Sequence, residues 1–550
     1  MAMKPRPYQV DAKRAAYAAL RAHRSALVVM PTGTGKGFLI GDIIADAVDA
    51  GRRVLAFVHR REIIDQLADH ARRATGLEPA IECAAQREAT DDSLVVVGSV
   101  PSLVNRLDRF APDRFDLLIA DEAAHALAVT WRSLFDHFTG AKILGFTATP
   151  NRGDEKALGQ VFDAVAYDMT LPDAIRDGWL VPIKTRSIRL ESLDLSAVRK
   201  RGGKLVDGDL AAVMSEVAVL REAIVPAVKI AGARQSIVFT VTIAHMHCVA
   251  AAVREVADEC GVDLPIATVD GTTPKAERRE IMDGFRSRRI RWLINVGVAT
   301  EGFDAPSAEV VIDLQPTLSR GLYMQKGGRV TRPLPGVVDG PETAADRRAA
   351  IADSAKTHCL WLDFARNSGR FDLASPMDLL GGDYDPVDQR EADRLLVAGN
   401  TDDLLAALEQ ARAAREGAIA DARARAGDPF ALFGITSDKD RFGRGLTAKH
   451  SRVLGPLKLP RVLDYREANA VVSELARRDL AGLALYSQIA LLARLRHPIA
   501  PLRTMTRAIA AELVRGLARN GWSADAGWPR LRELTGITAN TPNPSPTGHT

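Results

Sequence analysis

Ala26-Leu27-Val28-Val29-Met30-Pro31-Thr32-Gly33-Thr34-Gly35-Lys36-Gly37 decides how the rest of the chain is read. Its first residues are apolar without alternation, the mark of a strand buried on both faces of a parallel sheet. A glycine loop ending in lysine follows, and helical text runs from Gly37 to Ala50. Strand, glycine loop, lysine and helix together make a phosphate cradle. The glycines let backbone N–H groups converge on phosphate oxygens, and the helix N-terminus adds its positive end. Lys36 falls where it meets the β- and γ-phosphates of a nucleotide. Taken alone, the loop also reads as a glycine turn with a surface lysine. One position departs from the usual pattern: the Ser or Thr after the lysine, whose hydroxyl ligates Mg2+, is Gly37. A water or another group then takes that position on the metal, and a hydroxyl restored there should tighten metal binding. The other reading is that the loop needs a glycine for a positive φ.

Outward from this stretch the same text repeats. Apolar runs at Val54–Val58, Leu94–Val97, Asp116–Ala120 and Ile143–Thr147 alternate with helical segments such as Glu62–Arg73. After a polar stretch from Ile183 to about Gly208, the rhythm restarts at Ile237–Thr240, Ile266–Val269, Trp292–Val296, Val310–Leu314 and Leu360–Phe364. This is βαβ logic in two consecutive α/β units. Beyond Gly369 the strand rhythm stops and Ala/Leu/Arg-rich helical text takes over, with Thr401-Asp402-Asp403 as a helix start. The expected organisation is a first domain over 1–182, a linker or insertion over 183–215, a second domain over 216–370, a mainly helical domain over 371–537 and a disordered tail over 538–550.

Composition is consistent with this. The chain has 550 residues, 47% hydrophobic and 26% charged, with a formal net charge of +4. That is room for about three to four domains of ordinary soluble balance and excludes a fibre, a disulfide scaffold and a mostly disordered chain. Cys83, Cys248, Cys260 and Cys359 show no Cys-x-x-Cys spacing, so reduced buried thiols are expected rather than a zinc ribbon. The polar N-terminus lacks an apolar leader segment, and the stretch Leu480–Ala493 is too short to cross a bilayer. A cytoplasmic chain without a membrane partner is the expectation.

Asp121-Glu122 ends the run Phe115–Ala120, 85 residues after Lys36. Two carboxylates at a strand end suit metal work, Asp121 holding Mg2+ and Glu122 polarising the attacking water. Their competing role is to cap the next helix. Thr147-Ala148-Thr149-Pro150 closes the last run of the first unit. In the second unit Gln325-x-x-Gly328-Arg329-x-x-Arg332 sets two arginines three apart, read as one helix face reaching into a cleft. An arginine that meets phosphate only when two units close raises turnover by about 10³-fold or more; a solvated basic turn is the alternative.

In this order the motifs resemble helicase superfamily 2. The set includes Arg6-Pro7-Tyr8-Gln9, Pro31–Lys36, Phe57-Val58-His59-Arg60, Gly98-Ser99-Val100-Pro101-Ser102-Leu103, Asp121-Glu122-Ala123-Ala124-His125, Thr147–Pro150, Ile237–Thr240, Val269-Asp270-Gly271, Asn295–Pro306 and Gln325–Arg332. The Arg-Pro-Tyr-Gln opening, Glu301-Gly302-Phe303-Asp304-Ala305-Pro306 and the late Leu362-Asp363-Phe364 are similar to the RadD-like helicases of bacteria and phages. The resemblance implies two tandem RecA-like parallel-sheet domains, an α/β fold followed by the helical domain, with ATP and Mg2+ between them. It implies a nucleic-acid helicase or translocase acting on DNA in repair, recombination or fork processing. A clamp or RNA remodeller with weak hydrolysis is the alternative. By position it assigns Tyr8 and Gln9 to adenine, Pro31, Thr32, Gly33, Thr34, Gly35, Lys36 and Gly37 to the phosphates, and Asp304 to the ribose. Gln325, Arg329 and Arg332 join Lys36, Asp121 and Glu122 in catalysis. His59, Arg60, Ser99, Thr240 and Thr300 would touch nucleic-acid phosphates, which makes binding sequence-tolerant and salt-sensitive. Ala124 stands where the family has His or Asp, so coupling to Gln325 is altered or rerouted through His125. Outside the motifs, Arg441, Arg444, Lys449, Arg452, Lys458 and Arg461 form a basic stretch without an acid between 441 and 461, a phosphate contact or a solvated loop.

Overall fold

The non-alternating apolar runs pair side by side, because a strand buried on both faces needs neighbours and helical cover rather than solvent. The computed structural model describes residues 5–59, 63–123, 129–148, 161–298, 305–364, 373–380, 384–434, 445–495 and 499–519. In the first sheet the strands are β1 (Ser25–Val29), β2 (Val54–Val58), β3 (Ala80–Cys83), β4 (Gln86–Arg87), β5 (Val95–Ser99), β6 (Leu117–Asp121), β7 (Lys142–Thr147) and β8 (Ala164–Asp168). Their order is β4-β3-β5-β2-β6-β7-β1-β8, parallel except for the β3–β4 hairpin. β1, β2 and β5 are buried throughout. Three helices matter below: α1 (Pro7–Ala22), α2 (Lys36–Asp49) and α3 (Ile64–Thr75).

The second sheet is built from β9 (Ile183–Ser187), β12 (Ser236–Phe239), β13 (Ile266–Val269), β14 (Trp292–Asn295), β15 (Val310–Asp313) and β16 (Cys359–Asp363). Its order is β13-β14-β12-β15-β16-β9, parallel throughout. A small hairpin, β10 (Lys200–Arg201) with β11 (Lys204–Leu205), lies between β9 and β12 in the chain. One expectation is corrected. Ile183–Ser187 does not open a linker; it is the outer strand of this sheet, in register with β16 from Cys359↔Ile183 to Asp363↔Ser187. An edge strand has one paired side and one exposed face, so Lys184, Arg186 and Ser187 are tolerated and the apolar signature is absent. Leu205, Leu210 and Met214 of the same stretch join the core of the second sheet.

The chain divides into two compact units, one ending at Glu409 and one beginning at Gln410. The first therefore extends past the boundary expected near residue 370 and takes in the helix Pro386–Val397. The second unit is helical among its described residues, with a core around Leu432, Ile489, Leu492, Leu502 and Leu513. Its helix Tyr465–Leu480 starts on a capping box, Asp464 accepting from Glu467 N while the Glu467 carboxylate accepts from Asp464 N. The tail 538–550 lies outside the described residues. Cys83 and Cys359 are buried as expected, but Cys248 and Cys260 are exposed, on and just after the helix Ile243–Glu259. No helix among the described residues is long and apolar enough to cross a membrane.

The second sheet carries an ion pair in its core. Lys326 is fully buried on the helix Arg320–Gly328, and its Nζ lies 2.7 Å from Asp313 Oδ1 at the end of β15 and donates to the Gln315 carbonyl at 3.0 Å. Burial pushes the ammonium below its usual range and the carboxyl above its own, and each partner opposes the other's shift. Asp313→Ala should therefore cost about 3–5 kcal/mol in urea unfolding by leaving a buried charge unpaired. Asp313→Leu combined with Lys326→Met should cost much less.

Candidate active site

β1 and β6 end on the same edge of the first sheet, where parallel strands present ligand sites. β1 runs into the glycine loop, whose Gly33 and Gly35 have φ of +95° and +82°, a left-handed backbone that L side chains resist. Thr34 is fully buried, and its hydroxyl closes the loop by donating to the Pro31 carbonyl at 2.7 Å. The loop is held from outside by α1. Tyr8 donates its hydroxyl to the Thr34 carbonyl at 2.8 Å, and Gln9 donates Nε2 to the same oxygen at 3.0 Å. Gln9 Oε1 accepts from Arg6 N at 2.9 Å. Tyr8 and Gln9 therefore brace the phosphate loop itself.

Lys36 begins α2, and its Nζ donates to the Met30 carbonyl at 3.1 Å. Burial pulls its ammonium below the usual lysine range. Glu122 and Asp121 act against that shift, and Arg329 and Arg332 add to it. Lys36 thus feels the other four expected charged groups. Asp121 is the last residue of β6, and its Oδ1 accepts from Glu122 N at 3.0 Å. Glu122 itself has φ of +55°, a left-handed conformation at a residue with a side chain. Strain of this kind persists where the surroundings impose it, and it turns the carboxylate off the strand line. Ala124, His125, Thr149 and Pro150 lie outside the described residues.

The second sheet contributes through the helix Arg320–Gly328. Gln325 is half-buried on it. The two arginines do not share a helix face, as the spacing had suggested: the helix ends at Gly328, Arg329 is its C-cap and Arg332 lies beyond. Pro333 explains this, since its ring disfavours helical backbone at the residue before it. The extended course takes Arg332 to the glycine loop. A Cβ placed on Gly33 would stand 3.1 Å from Arg332 Cγ and 3.5 Å from the Gly328 carbonyl. A Cβ on Gly328 would stand 2.4 Å from Thr32 Cβ. Neither segment could approach the other if these glycines carried side chains.

Three residues without any sequence signal complete the site. Lys356, 1% exposed, donates to the Arg332 carbonyl and to the Pro306 carbonyl, each at 2.7 Å. It ties the arginine segment to the end of the Glu301–Pro306 motif, and burial pushes its pKa down to about 8. Trp179, between the two sheets in sequence, packs edge-on to Tyr8 at 5.0 Å with the Arg347 guanidinium 3.8 Å above its ring. Arg347 also donates to the Asp177 and Glu342 carbonyls at 2.8 and 2.9 Å. Arg6 pairs with Asp339 at 2.9 Å. No motif or periodicity marks Lys356, Trp179 or Arg347; only the folded contacts reveal them.

The expected phosphate contacts of a nucleic acid sit at strand ends. His59 is exposed after β2. Ser99 and Thr240 are buried, with their hydroxyl protons already directed at Ser102 Oγ (2.8 Å) and the Asn295 carbonyl (2.9 Å). Arg60, Thr300 and Asp304 lie outside the described residues, as do Arg441 and Arg444 of the basic stretch. Arg461 in that stretch forms a two-pronged pair with Glu467 at 2.9 and 3.0 Å. The residues fit a nucleotide: a loop with two left-handed glycines, a lysine and an arginine segment meet here. Asp121 and Glu122 supply the hard oxygen donors that Mg2+ prefers.

Residues 2–152 match the family model described as type III restriction enzyme, res subunit, and residues 216–333 match the helicase conserved C-terminal domain. The chain is 29% identical over 345 residues to the putative ATP-dependent helicase IRC3 of Saccharomyces cerevisiae, covering 60% of this chain and 49% of that protein. It is 28% identical over 400 residues to the putative mitochondrial ATP-dependent helicase irc3 of Schizosaccharomyces pombe, covering 70% and 61%. To the DNA 3'-5' helicase XPB of Mycobacterium tuberculosis it is 26% identical over 343 residues, covering 59% and 58%. It thus spans only about half to three fifths of the length of these relatives. The glycine loop falls within one matched domain and the arginine segment within the other, and across both the chain is similar to the helicases of superfamily 2.

Proposed function

We propose that this chain hydrolyses ATP between its two parallel-sheet domains and uses the cycle to move along nucleic acid. The observation that carries the reading is the meeting of Arg332 with the glycine loop across the Thr32–Gly328 contact. Lys36 neutralises the terminal phosphates. Asp121 would hold Mg2+, which would supply positive charge to offset that of the phosphates. Glu122 accepts a hydrogen bond from the attacking water and takes its proton. Arg329 and Arg332 face the charge that develops on the transferred phosphoryl group. Gln325, on the helix that leads to them, links their position to the state of the first domain. Gln9 retains a lone pair on Oε1 for the adenine amino group, with Tyr8 beside it and Asp304 on the ribose.

The nucleic acid lies over the strand ends that carry His59, Arg60, Ser99, Thr240 and Thr300. DNA is favoured over RNA by the relatives whose names specify it. A task in repair, recombination or fork processing suits such a motor. ATPase assays run in parallel with single-stranded DNA, duplex, fork and RNA test this reading. Stimulation by a DNA structure beyond that by RNA supports it, and turnover indifferent to every nucleic acid overturns it.

Glu122→Gln should bind ATP yet turn over at least ~10²-fold more slowly, because the water loses its base. Unchanged turnover would remove Glu122 from the chemistry.

Arg332→Ala should lower kcat far more than ATP affinity. Lys356→Met should show the same split in milder form, since it loosens the backbone that carries Arg332. A loss confined to KM in either variant would make that residue a ground-state contact only.

A further inference from the structure

Gly37 and Gly41 are one helical turn apart and therefore share a face of α2. That face meets α3. A Cβ on Gly41 would stand 2.8 Å from the His70 carbonyl oxygen and 3.3 Å from Ala74 Cβ. A Cβ on Gly37 would stand 2.3 Å from His70 Nε2, 2.5 Å from Cδ2 and 2.9 Å from Cε1. The pair of glycines lets the two helices approach until the His70 ring occupies the space that a residue-37 side chain would fill. Gly37 lies in the helix and outside the left-handed region, so its backbone does not require glycine. The requirement comes from His70. A hydroxyl cannot simply be restored at position 37, contrary to what the sequence suggested.

Position 37 is where a side-chain hydroxyl would reach the nucleotide's metal. We infer that His70 takes over that place, its Nε2 holding a water of the Mg2+ bound with the nucleotide. The inference rests on the ATP-binding reading given above. Mg2+ is a hard cation that favours oxygen and keeps several of its waters, so an imidazole serves it better through a water than as a direct ligand. Groups that orient a metal's ligands from one step away typically contribute about 10–100-fold to metal affinity. His70 comes from α3, so the arrangement also makes the metal site depend on how α2 and α3 pack.

The test is ADP binding by calorimetry at stepped Mg2+ concentrations, with melting temperatures alongside. His70→Leu and His70→Gln both refill the space, but only Gln offers an amide at the same reach. His70→Leu should raise the Mg2+ midpoint about tenfold, and His70→Gln should stay within about twofold of wild type. Gly37→Thr alone should lower the melting temperature, because its Cβ overlaps the ring. Gly37→Thr with His70→Ala should recover it and bring the Mg2+ midpoint back to the wild-type value or below. A His70→Leu protein with an unchanged midpoint overturns the inference and leaves His70 as packing. So does equal impairment of the Leu and Gln variants. A wild type that fails to bind ADP at any Mg2+ concentration instead overturns the ATP-binding reading beneath it.

Discussion

Gly328 has no side chain, and Thr32 stands where one would be. The rest of the site depends on that contact, because it sets how near the second sheet's arginines come to the first sheet's phosphate loop. Gly33 makes the same contact from the other side, with Arg332 lying over it. Two positions without Cβ atoms, almost three hundred residues apart in the chain, thus let the arginine segment and the phosphate loop meet. Any side chain at either position would push the two apart, and a misplacement of about 1 Å in such a site can cost about 10²-fold in rate.

The charges gathered there explain why the arrangement calls for an anion. Burial pushes the Lys36 ammonium down, Glu122 and Asp121 hold it up, and Arg329 and Arg332 add a smaller push down. Like charges brought together in a partly desolvated cleft repel, so the closed arrangement is costly until something negative enters. A polyphosphate reverses the sign of that balance. Lys356 works in the same direction from behind: it fixes the Arg332 carbonyl, so the side chain alone has to be ordered when phosphate arrives.

The interior of both sheets was legible because interior strands carry an unbroken apolar run: β1, β2, β5, β12, β14 and β15 all do. Of the outer strands, β13 was legible as Ile266–Val269, but β8 and β9 were not. β8 mixes Tyr167 and Asp168 into its run, and β9 reads Ile-Lys-Thr-Arg-Ser, so half-exposed strands look like linker. The charged residues of the site were legible because each ends a strand or sits in a fixed local spacing. Lys356, Trp179 and Arg347 were not, since each acts through a contact distant in sequence, and a single sequence holds no record of such pairs. The arginine pair shows a local rule losing to another: spacing suggested a helix face, but Pro333 withdrew the helix before Arg332.

Gly37 shows why a missing functional group is not by itself evidence of lost function. Read along the chain, it is a deletion of a metal ligand. Read in space, it is half of a pair, because the volume it vacates is filled by the ring of His70 from the neighbouring helix. The other loop glycines answer to backbone conformation: Gly33 and Gly35 hold φ values that side chains resist, while Gly37 does not. The loop therefore contains glycines kept for two different physical reasons, curvature in one case and close approach in the other. Gly41 supports the second reason independently, since it faces the backbone of the same histidine one turn further along. A helix that approaches this closely at two successive turns is held there by packing of its whole face, with Ile64, Leu67, Ala68 and Ala71 buried beneath it. The histidine's position is thus fixed by the core, as a group must be if it is to orient a ligand rather than merely lie near one.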